Sequence, residues 1–174
     1  MTAPELGRPI KLRAIKEEPI LIEADEAERA ALARRFGISS IESLHAEVSL
    51  DPEGDKVAAK GRLRAAITQA CAVSGEDFPV MVDEALDLFF VPAQDVETAS
   101  YDEEIELDGD ELDEIEYEGD SFDLGEAIAQ SLALAIDPYS EGPNADAARI
   151  AAGIVTDETP RGPLAEALAA LKGK

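Results

Sequence analysis

The chain holds few of the side chains that usually act as nucleophiles, bases or soft metal ligands. It has one cysteine, Cys71, and one histidine, His45. A disulfide needs two cysteines, and a structural zinc site normally needs four Cys or His ligands. Glycine-rich phosphate loops, GxSxG elbows and HExxH pairs are absent from the sequence. We therefore predict no catalytic residue, no metal site and no cofactor, and we expect a protein that is not an enzyme.

Carboxylates are the one abundant group with metal-binding chemistry. The segment that starts at Asp108 and Asp110 comes nearest to a calcium loop, but its fifth position is Leu112 and its sixth is Asp113 where an EF-hand needs glycine. We reject an EF-hand. With so many carboxylates, some pair lies at a catalytic separation by chance, so a carboxylate-metal enzyme ranks lowest among the alternatives.

The single thiol and the single imidazole both have ordinary explanations. Cys71 falls on the inward face of a predicted strand, which indicates a buried and unreactive thiol. Its acidic neighbours Glu76 and Asp77 are expected to raise its pKa. His45 lies beside a predicted strand without any nucleophile motif, so we expect an ordinary surface or half-buried residue and not a general base.

Charge is distributed very unevenly along the chain. From residue 65 to residue 148 there is no Lys or Arg, while 24 of the 39 acidic residues lie there. The remaining 15 acids balance the 15 bases of the two flanks, so the centre carries the whole net charge of −24. Such a segment repels phosphate and anionic lipid and attracts basic proteins or cations. Contact with nucleic acid must therefore come from the flanks.

Length and hydropathy predict a single domain over residues 1–174 with an acidic, low-complexity insertion at about 93–121. We expect this insertion to be a mobile loop with room for one short edge strand. No stretch approaches the ~20 apolar residues of a membrane span, and the N-terminus lacks the pattern of a secretory signal. We expect a cytoplasmic protein without membrane contact.

Periodicity predicts strands and helices in a mixed order. Alternation predicts a first strand over 10–16, and a capping pattern at Asp25 and Glu28 with Gly37 as the stop predicts a helix over 26–36. A hairpin follows, with arms from Leu44 to 50 and from 56 to Cys71. A long strand then runs from 78 to 92, and Glu84 interrupts its apolar face, which indicates a bulge or a split.

After the acidic insertion, Ser121 or Asp123 can cap a helix that stops at Asp137-Pro138. Residues 146–154 form an Ala-rich turn, and Pro163 precedes a terminal helix. We predict an α+β fold, an antiparallel β-meander of four or more strands with two or three short helices over one face and the acidic loop outside it.

Two sets of charged residues are candidate binding sites. If the first strand pairs beside the 56–71 strand, outward Lys11, Arg13, Arg62 and Arg64 form a basic stripe, extended by Arg8 and Lys60, that suits RNA phosphates. The alternative is a solvated sheet face. The candidate partner-binding residues for a basic protein are Asp102, Glu103, Glu104, Glu106, Asp108, Asp110, Glu111, Asp113 and Glu114.

The order of segments is similar to that of a known family. A strand ends in Cys71, a Phe78-Pro79 strand ends near Val91-Pro92, and an acidic stretch precedes Phe122-Asp-Leu124 and a helix with Leu132-Ala-Leu134. The chain closes with Pro163-Leu-Ala and Leu168-Ala-Ala-Leu-Lys172. Over residues 56–174 this resembles the YceD family, the large ribosomal RNA subunit accumulation proteins.

The resemblance implies a bacterial, non-enzymatic factor for accumulation or processing of large-subunit ribosomal RNA, often encoded next to a small basic ribosomal protein. Members often carry a second cysteine three residues after the first, where this chain has Ser74. The first hypothesis is therefore a ribosome-biogenesis factor whose acidic centre contacts a basic ribosomal protein, large-subunit ribosomal RNA, or both. The others are a direct RNA-binding module using the basic sheet face and an acidic adaptor unrelated to ribosomes.

Overall fold

The computed structural model of the chain describes residues 4–93 and 114–154. Two short elements come first in the chain, strand β1 at Pro9–Lys11 and a 3₁₀ turn at Leu12–Ala14. The three longest strands follow one another in the middle of the sequence. In chain order the strands and α-helices are β1 (Pro9–Lys11), β2 (Ile20–Glu23), α1 (Glu26–Phe36), β3 (Ser40–Glu53), β4 (Lys56–Ala70), β5 (Asp77–Pro92), β6 (Glu114–Tyr117), β7 (Ser121–Asp123), α2 (Leu124–Ala135) and α3 (Ala145–Ala151).

The main sheet has five strands in the order β2-β3-β4-β5-β6. β2 to β5 follow one another in sequence and in space, whereas β6 joins the edge parallel to β5. Strands β1 and β7 form a separate antiparallel pair. The predicted α+β fold with a meander of four or more strands and short helices is confirmed.

The β3–β4 hairpin supplies the centre of the core. Its strands pair in register from Ser40↔Thr68 to Glu53↔Lys56, with one irregularity near Ile41. Alternation buries one face of each strand, because successive side chains in a strand point to opposite sides. The buried residues include those predicted to face inward: Leu44, Ala46, Val48, Leu50, Leu63, Ala65, Ile67 and Cys71.

The hairpin also buries Gln69, the one polar residue predicted on its inward face. The Gln69 side-chain amide donates a hydrogen bond of 3.0 Å to the carbonyl of Asp137, which compensates for its loss of water. Of the bulge or split predicted at Glu84, the split is wrong, because strand β5 is continuous from Asp77 to Pro92. Glu84 is exposed, in a shallow groove with Ser131 and Leu134 near the C-terminal end of α2.

Helix α1 has the predicted bounds and caps. The Asp25 carboxylate accepts from the Glu28 N–H at 2.9 Å, and the Glu28 carboxylate accepts from the Asp25 N–H at 2.9 Å. Gly37 ends the helix in the left-handed conformation, with φ of 68°. Leu32 is fully buried against the core.

The N-terminal segment differs from its prediction. The strand is limited to Pro9–Lys11, and Leu12–Ala14 turns into a 3₁₀ helix, so Arg13 is not on a strand. β1 pairs with β7, placing Ile10 opposite Phe122, and the Phe122 ring stacks on Phe90 with ring centroids 4.0 Å apart. Strand β2 was not predicted, although Ile20 and Ile22 alternate with Leu21 as a half-buried strand does.

Helix α2 begins after Asp123, which accepts from the N–H groups of Gly125 and Glu126. Of the two predicted caps, Asp123 is therefore correct, while Ser121 lies in β7. The Ala-rich segment after Pro143 forms α3. The predicted terminal helix after Pro163 and most of the predicted acidic loop lie outside the described residues. The part that is described provides the predicted edge strand, β6.

Contacts divide the chain into two compact units. The first, Met1–Gln69 with Pro79–Asp137, holds the apolar core. The second is Ala70–Phe78 with Pro138–Lys174. In the second unit the Ala72 N–H donates to the Ser140 carbonyl at 3.0 Å.

Throughout the described part of the chain, every helix is too short or too polar to cross a membrane.

We expect the α1 cap to make a measurable contribution to stability. Asp25→Ala removes the acceptor for the Glu28 N–H and should lower the free energy of unfolding by about 1 kcal/mol. Asp25→Asn keeps a capping oxygen and should retain most of that stability. Urea denaturation of the three proteins tests this, and equal loss in both variants would show that the cap hydrogen bond contributes nothing.

Candidate functional site

The open face of the main sheet lies opposite the core and presents charged side chains. From β3 it presents His45 and Glu47, and from β4 it presents Lys60, Arg62 and Arg64. The register places His45 opposite Arg64 and Glu47 opposite Arg62. These outward positions follow from the alternation that buries their neighbours in the sequence. Two of the four predicted RNA-binding residues, Arg62 and Arg64, therefore lie side by side on an exposed face.

Carboxylates on β5 hold the three cations of β4. Arg62 Nε lies 2.5 Å from Asp83 Oδ1, and Arg64 Nε lies 3.6 Å from the same oxygen. Lys60 Nζ lies 3.5 Å from Asp87 Oδ1. The residue number increases along β5 in the direction in which it decreases along β4, as expected for neighbouring antiparallel strands. Arg62 lowers the pKa of Asp83, so this carboxylate stays charged and keeps its cation at neutral pH.

Lys11 and Arg13 do not join this face. The expected stripe required β1 to lie beside β4, but the neighbours of β4 are β3 and β5, and β1 pairs with β7. Alternation specifies the face that a side chain occupies and not the strand that lies next to it. The predicted stripe of four residues is therefore wrong as a geometric arrangement.

Two of the N-terminal cations of the predicted stripe, Arg13 and Arg8, also have acidic partners. Arg13 Nη2 bonds Asp120 at 3.0 Å. Arg8, predicted to extend the stripe, forms a two-pronged pair with Glu28, with distances of 2.6 and 2.9 Å. The side-chain hydrogen bonds raise the pKa of Arg8 and lower that of Glu28. Arg8 thereby ties the N-terminal segment to the first turn of α1.

The residues on either side of the acidic segment lie at one edge of the main sheet. The Ala93 N–H, just after β5, donates to the Tyr117 carbonyl of β6 at 2.9 Å. Glu114 begins β6 and forms an ion pair with Lys56 at 2.9 Å. The Tyr117 hydroxyl donates to the Asp55 carbonyl in the β3–β4 turn at 2.5 Å, and burial raises the pKa of Tyr117. Ala93 and Glu114, which flank residues 94–113, therefore belong to the same edge.

Of the predicted partner-binding residues, Glu114 lies in β6, and the others lie outside the described residues: Asp102, Glu103, Glu104, Glu106, Asp108, Asp110, Glu111 and Asp113. Segment 94–113 contains ten acidic residues and no base. Glu114 and Tyr117, which follow this segment, contact Lys56 and Asp55 at the β3–β4 turn, and the exposed carboxylates of Asp51, Glu53 and Asp55 lie in or beside that turn. Negative charge is therefore concentrated at this end of the sheet.

Cys71 is buried, with 3% of its surface exposed, as predicted, but its pKa is not raised. Hydrogen bonds from the Ser74 hydroxyl and from the backbone N–H groups of Ser74, Gly142 and Val73 lower it to about 7. The Ser74 and Val73 nitrogens lie 3.3 and 3.4 Å from Sγ. The predicted effect of Glu76 and Asp77 is wrong because the donors point directly at the sulfur. The sequence feature that could have indicated the lowered pKa is the Cys-x-x-Ser spacing of Cys71 and Ser74.

His45 is a surface residue with 54% of its side chain exposed, and its Nδ1 lies 3.9 Å from Glu23 Oε1. This placement agrees with the predicted surface position. Across residues 4–93 and 114–154, no three His, Cys, Asp or Glu side chains are arranged as metal ligands.

The comparison with protein families identifies the chain. The model of "Large ribosomal RNA subunit accumulation protein YceD" matches residues 59–161, more than half of the sequence. The chain belongs to the YceD family. No curated protein and no solved structure matches it. The matched region begins inside β4 and extends past α3, so it covers the β4–β5 face, the acidic segment and the Cys71 turn.

Removal of the β5 carboxylates should make the open face basic. Asp83→Asn with Asp87→Asn releases Lys60, Arg62 and Arg64, so binding to a large-subunit ribosomal RNA fragment should tighten several-fold. Its log–log salt dependence should steepen by about 0.7 for each new phosphate contact. Filter binding at several salt concentrations measures both quantities. Glu17→Gln with Glu18→Gln removes the same charge elsewhere, and equal gains in this control would refute a specific masking of the three cations.

The hydroxyl of Ser74 should control the titration of Cys71. Ser74→Ala removes the largest stabilising hydrogen bond to the thiolate, so the pKa of Cys71 should rise from about 7 toward its ordinary value. Ser74→Thr keeps a hydroxyl and should leave the pKa near 7. Thiolate ultraviolet absorbance as a function of pH provides the measurement, and an unchanged curve for the Ala variant would contradict this assignment.

Proposed function

We propose that the chain is a non-enzymatic ribosome-biogenesis factor that supports accumulation or processing of large-subunit ribosomal RNA by contacting a basic ribosomal protein. The name of its family supports the connection with this RNA. The observation that carries the choice of partner is the segregation of charge, with every base outside residues 65–148. Ribosomes assemble in the cytoplasm of bacteria, so the proposal includes a cytoplasmic location.

Charge within the described residues supports a basic partner. Residues 4–93 and 114–154 contain 26 acidic residues and 12 Lys or Arg. Eight of those cations are in ion pairs with carboxylates: Arg8, Arg13, Arg35, Lys56, Lys60, Arg62, Arg64 and Arg149. A polyanion meets few cations that do not already have an acidic partner, whereas a polycation meets a large excess of carboxylates.

The position of the residues that flank segment 94–113 supports capture at a defined end of the protein. Ala93 directly follows β5, and Glu114 begins β6, the neighbour of β5, so this segment of ten carboxylates starts and ends at one edge of the sheet. The acidic side chains of the β3–β4 turn lie at the same end. A cluster of negative charges raises the association rate with a basic protein. The mechanism is electrostatic capture and escort.

Direct binding of RNA through Arg62 and Arg64 is the second candidate. Arg64 keeps 68% of its side chain exposed, and its 3.6 Å contact with Asp83 is long. Exposed ion pairs of this kind contribute little, typically about 0 to 1 kcal/mol, so RNA phosphates can compete for such a cation. RNA binding by the variant with Asp83→Asn and Asp87→Asn, which frees the β4 cations, tests this candidate separately from capture of a basic protein.

Neutralisation of the acidic segment tests the main proposal. Replacing the ten Asp and Glu of residues 94–113 by Asn and Gln should weaken binding to a purified basic ribosomal protein by at least about tenfold at low salt, because it removes most of the local charge. A variant with the same residues in shuffled order keeps the charge and should bind like the original. Titration calorimetry at several salt concentrations measures the difference.

The same variants can be tested in cells that lack the protein. The original and the shuffled chain should restore the ratio of large-subunit to small-subunit ribosomal RNA, and the neutralised chain should not. Equal binding and equal rescue by the neutralised chain would refute capture through this segment. An unchanged RNA ratio in cells without any form of the protein would refute the role in accumulation of the RNA.

A further inference from the structure

Strand β2 forms one edge of the main sheet, and its backbone has a defined outward side. The Ala24 N–H donates to the Leu44 carbonyl at 3.1 Å, and Ile22 lies opposite Ala46. In an antiparallel ladder, hydrogen-bonded pairs recur at every second residue. Ile20, Ile22 and Ala24 therefore direct their backbone groups to β3, whereas Leu21 and Glu23 direct theirs away from it.

The outward backbone groups leave one stretch of this edge open. The Glu23 carbonyl accepts a hydrogen bond from Arg8 Nη2 at 3.2 Å. The N–H and C=O of Leu21 and the N–H of Glu23 have no recorded partner among the described residues. Three adjacent backbone groups are thus available to an added strand, which is the geometry used when sheets bind extended peptides.

The side chains beside this edge define the chemistry of an added peptide. Leu21 is 77% exposed, so its apolar surface is accessible to a partner. A groove of about 300 Å³ adjoins it, lined by Leu21, Glu23, His45, Glu47, Arg62 and Arg64. Glu47 has no ion pair within the described part of the chain, and Glu23 has only the 3.9 Å contact with His45.

We propose that β2 is a docking edge for an extended peptide that alternates basic and apolar residues. The peptide adds as a sixth strand, pairs with Leu21 and Glu23 through its backbone, and places its Lys or Arg side chains over the carboxylates of Glu23 and Glu47. Its apolar residues point to the other face of the sheet, on the side of Ile20 and Ile22. This inference does not depend on segment 94–113 and adds a second contact for a basic partner.

The charges at this edge favour a basic peptide over a second copy of the chain. A second copy of the chain, with a net charge of −24, would bring another Glu17, Glu18 and Glu23 against the same three residues. Such like-charge pairs oppose edge-to-edge dimerisation. A nucleic acid offers no strand backbone that could pair with the outward groups of Leu21.

The test compares two variants of the full-length protein that lose the same side chain. Leu21→Pro removes the outward N–H and no ladder bond to β3, because proline is tolerated at edge positions whose N–H faces solvent. Leu21→Ala keeps the N–H. The probe is a synthetic, acetylated and amidated hexapeptide of alternating Lys and Val, and a peptide of the same sequence with alternate amides N-methylated controls for charge alone.

We expect the probe to bind Leu21→Ala within about threefold of the original protein. It should bind Leu21→Pro about tenfold more weakly, the loss that one backbone hydrogen bond can produce. The N-methylated peptide should lose a similar factor with the original protein. Addition of the probe should slow hydrogen exchange at the Leu21 amide, a readout that does not require the Pro variant to fold.

Equal binding of both peptides, or unchanged exchange at Leu21, would overturn the proposal and leave only attraction between opposite charges. A dimer in sedimentation that Leu21→Pro dissociates would assign the edge to a second copy and would also overturn it. Neither result bears on the neutralised variant of segment 94–113, so failure here and failure of the proposed function are distinguishable.

Discussion

The ion pairs between β4 and β5 determine the electrostatic character of the open sheet face. Lys60, Arg62 and Arg64 are the largest group of bases on any described strand, and Asp83 and Asp87 stand directly across from them. Without these carboxylates the face would be a basic strip suited to phosphates. With them, the cations are paired across the two strands, and acidic residues outnumber basic ones by 26 to 12 among the described residues.

The strands that flank the acidic segment lie at one edge of the main sheet. The sheet pairs β3 and β4 along their full length, and the short strands β2 and β6 form its edges. At the β6 edge, the Tyr117 ring contacts the Phe122 ring, and the Phe122 ring stacks on Phe90. These aromatic contacts join β6 to the apolar cluster that stabilises the sheet.

Local sequence signals predicted much of this architecture. The strand pairings between distant parts of the chain could not be predicted from such signals. The caps of α1 at Asp25 and Gly37 are local signals, and the inward residues of β3 and β4 follow from alternation, so both were predictable. The partner of β1 was not, because the stacking of Phe122 on Phe90 and the bond from the Arg8 N–H to Asp123 join residues far apart in sequence. The ion pairs that mask the basic residues depend on this same strand order.

The proposed capture by charge would suit a factor that must later release a basic protein. Attraction between exposed opposite charges accelerates encounter more than it slows dissociation, and it weakens when a stronger polyanion competes. Ribosomal RNA would be such a competitor, because it offers a continuous line of phosphates to the same basic protein. Under this proposal, the carboxylates of residues 94–113 would hold the basic protein until RNA displaces it. Such a transfer would require neither a conformational switch nor a catalytic step.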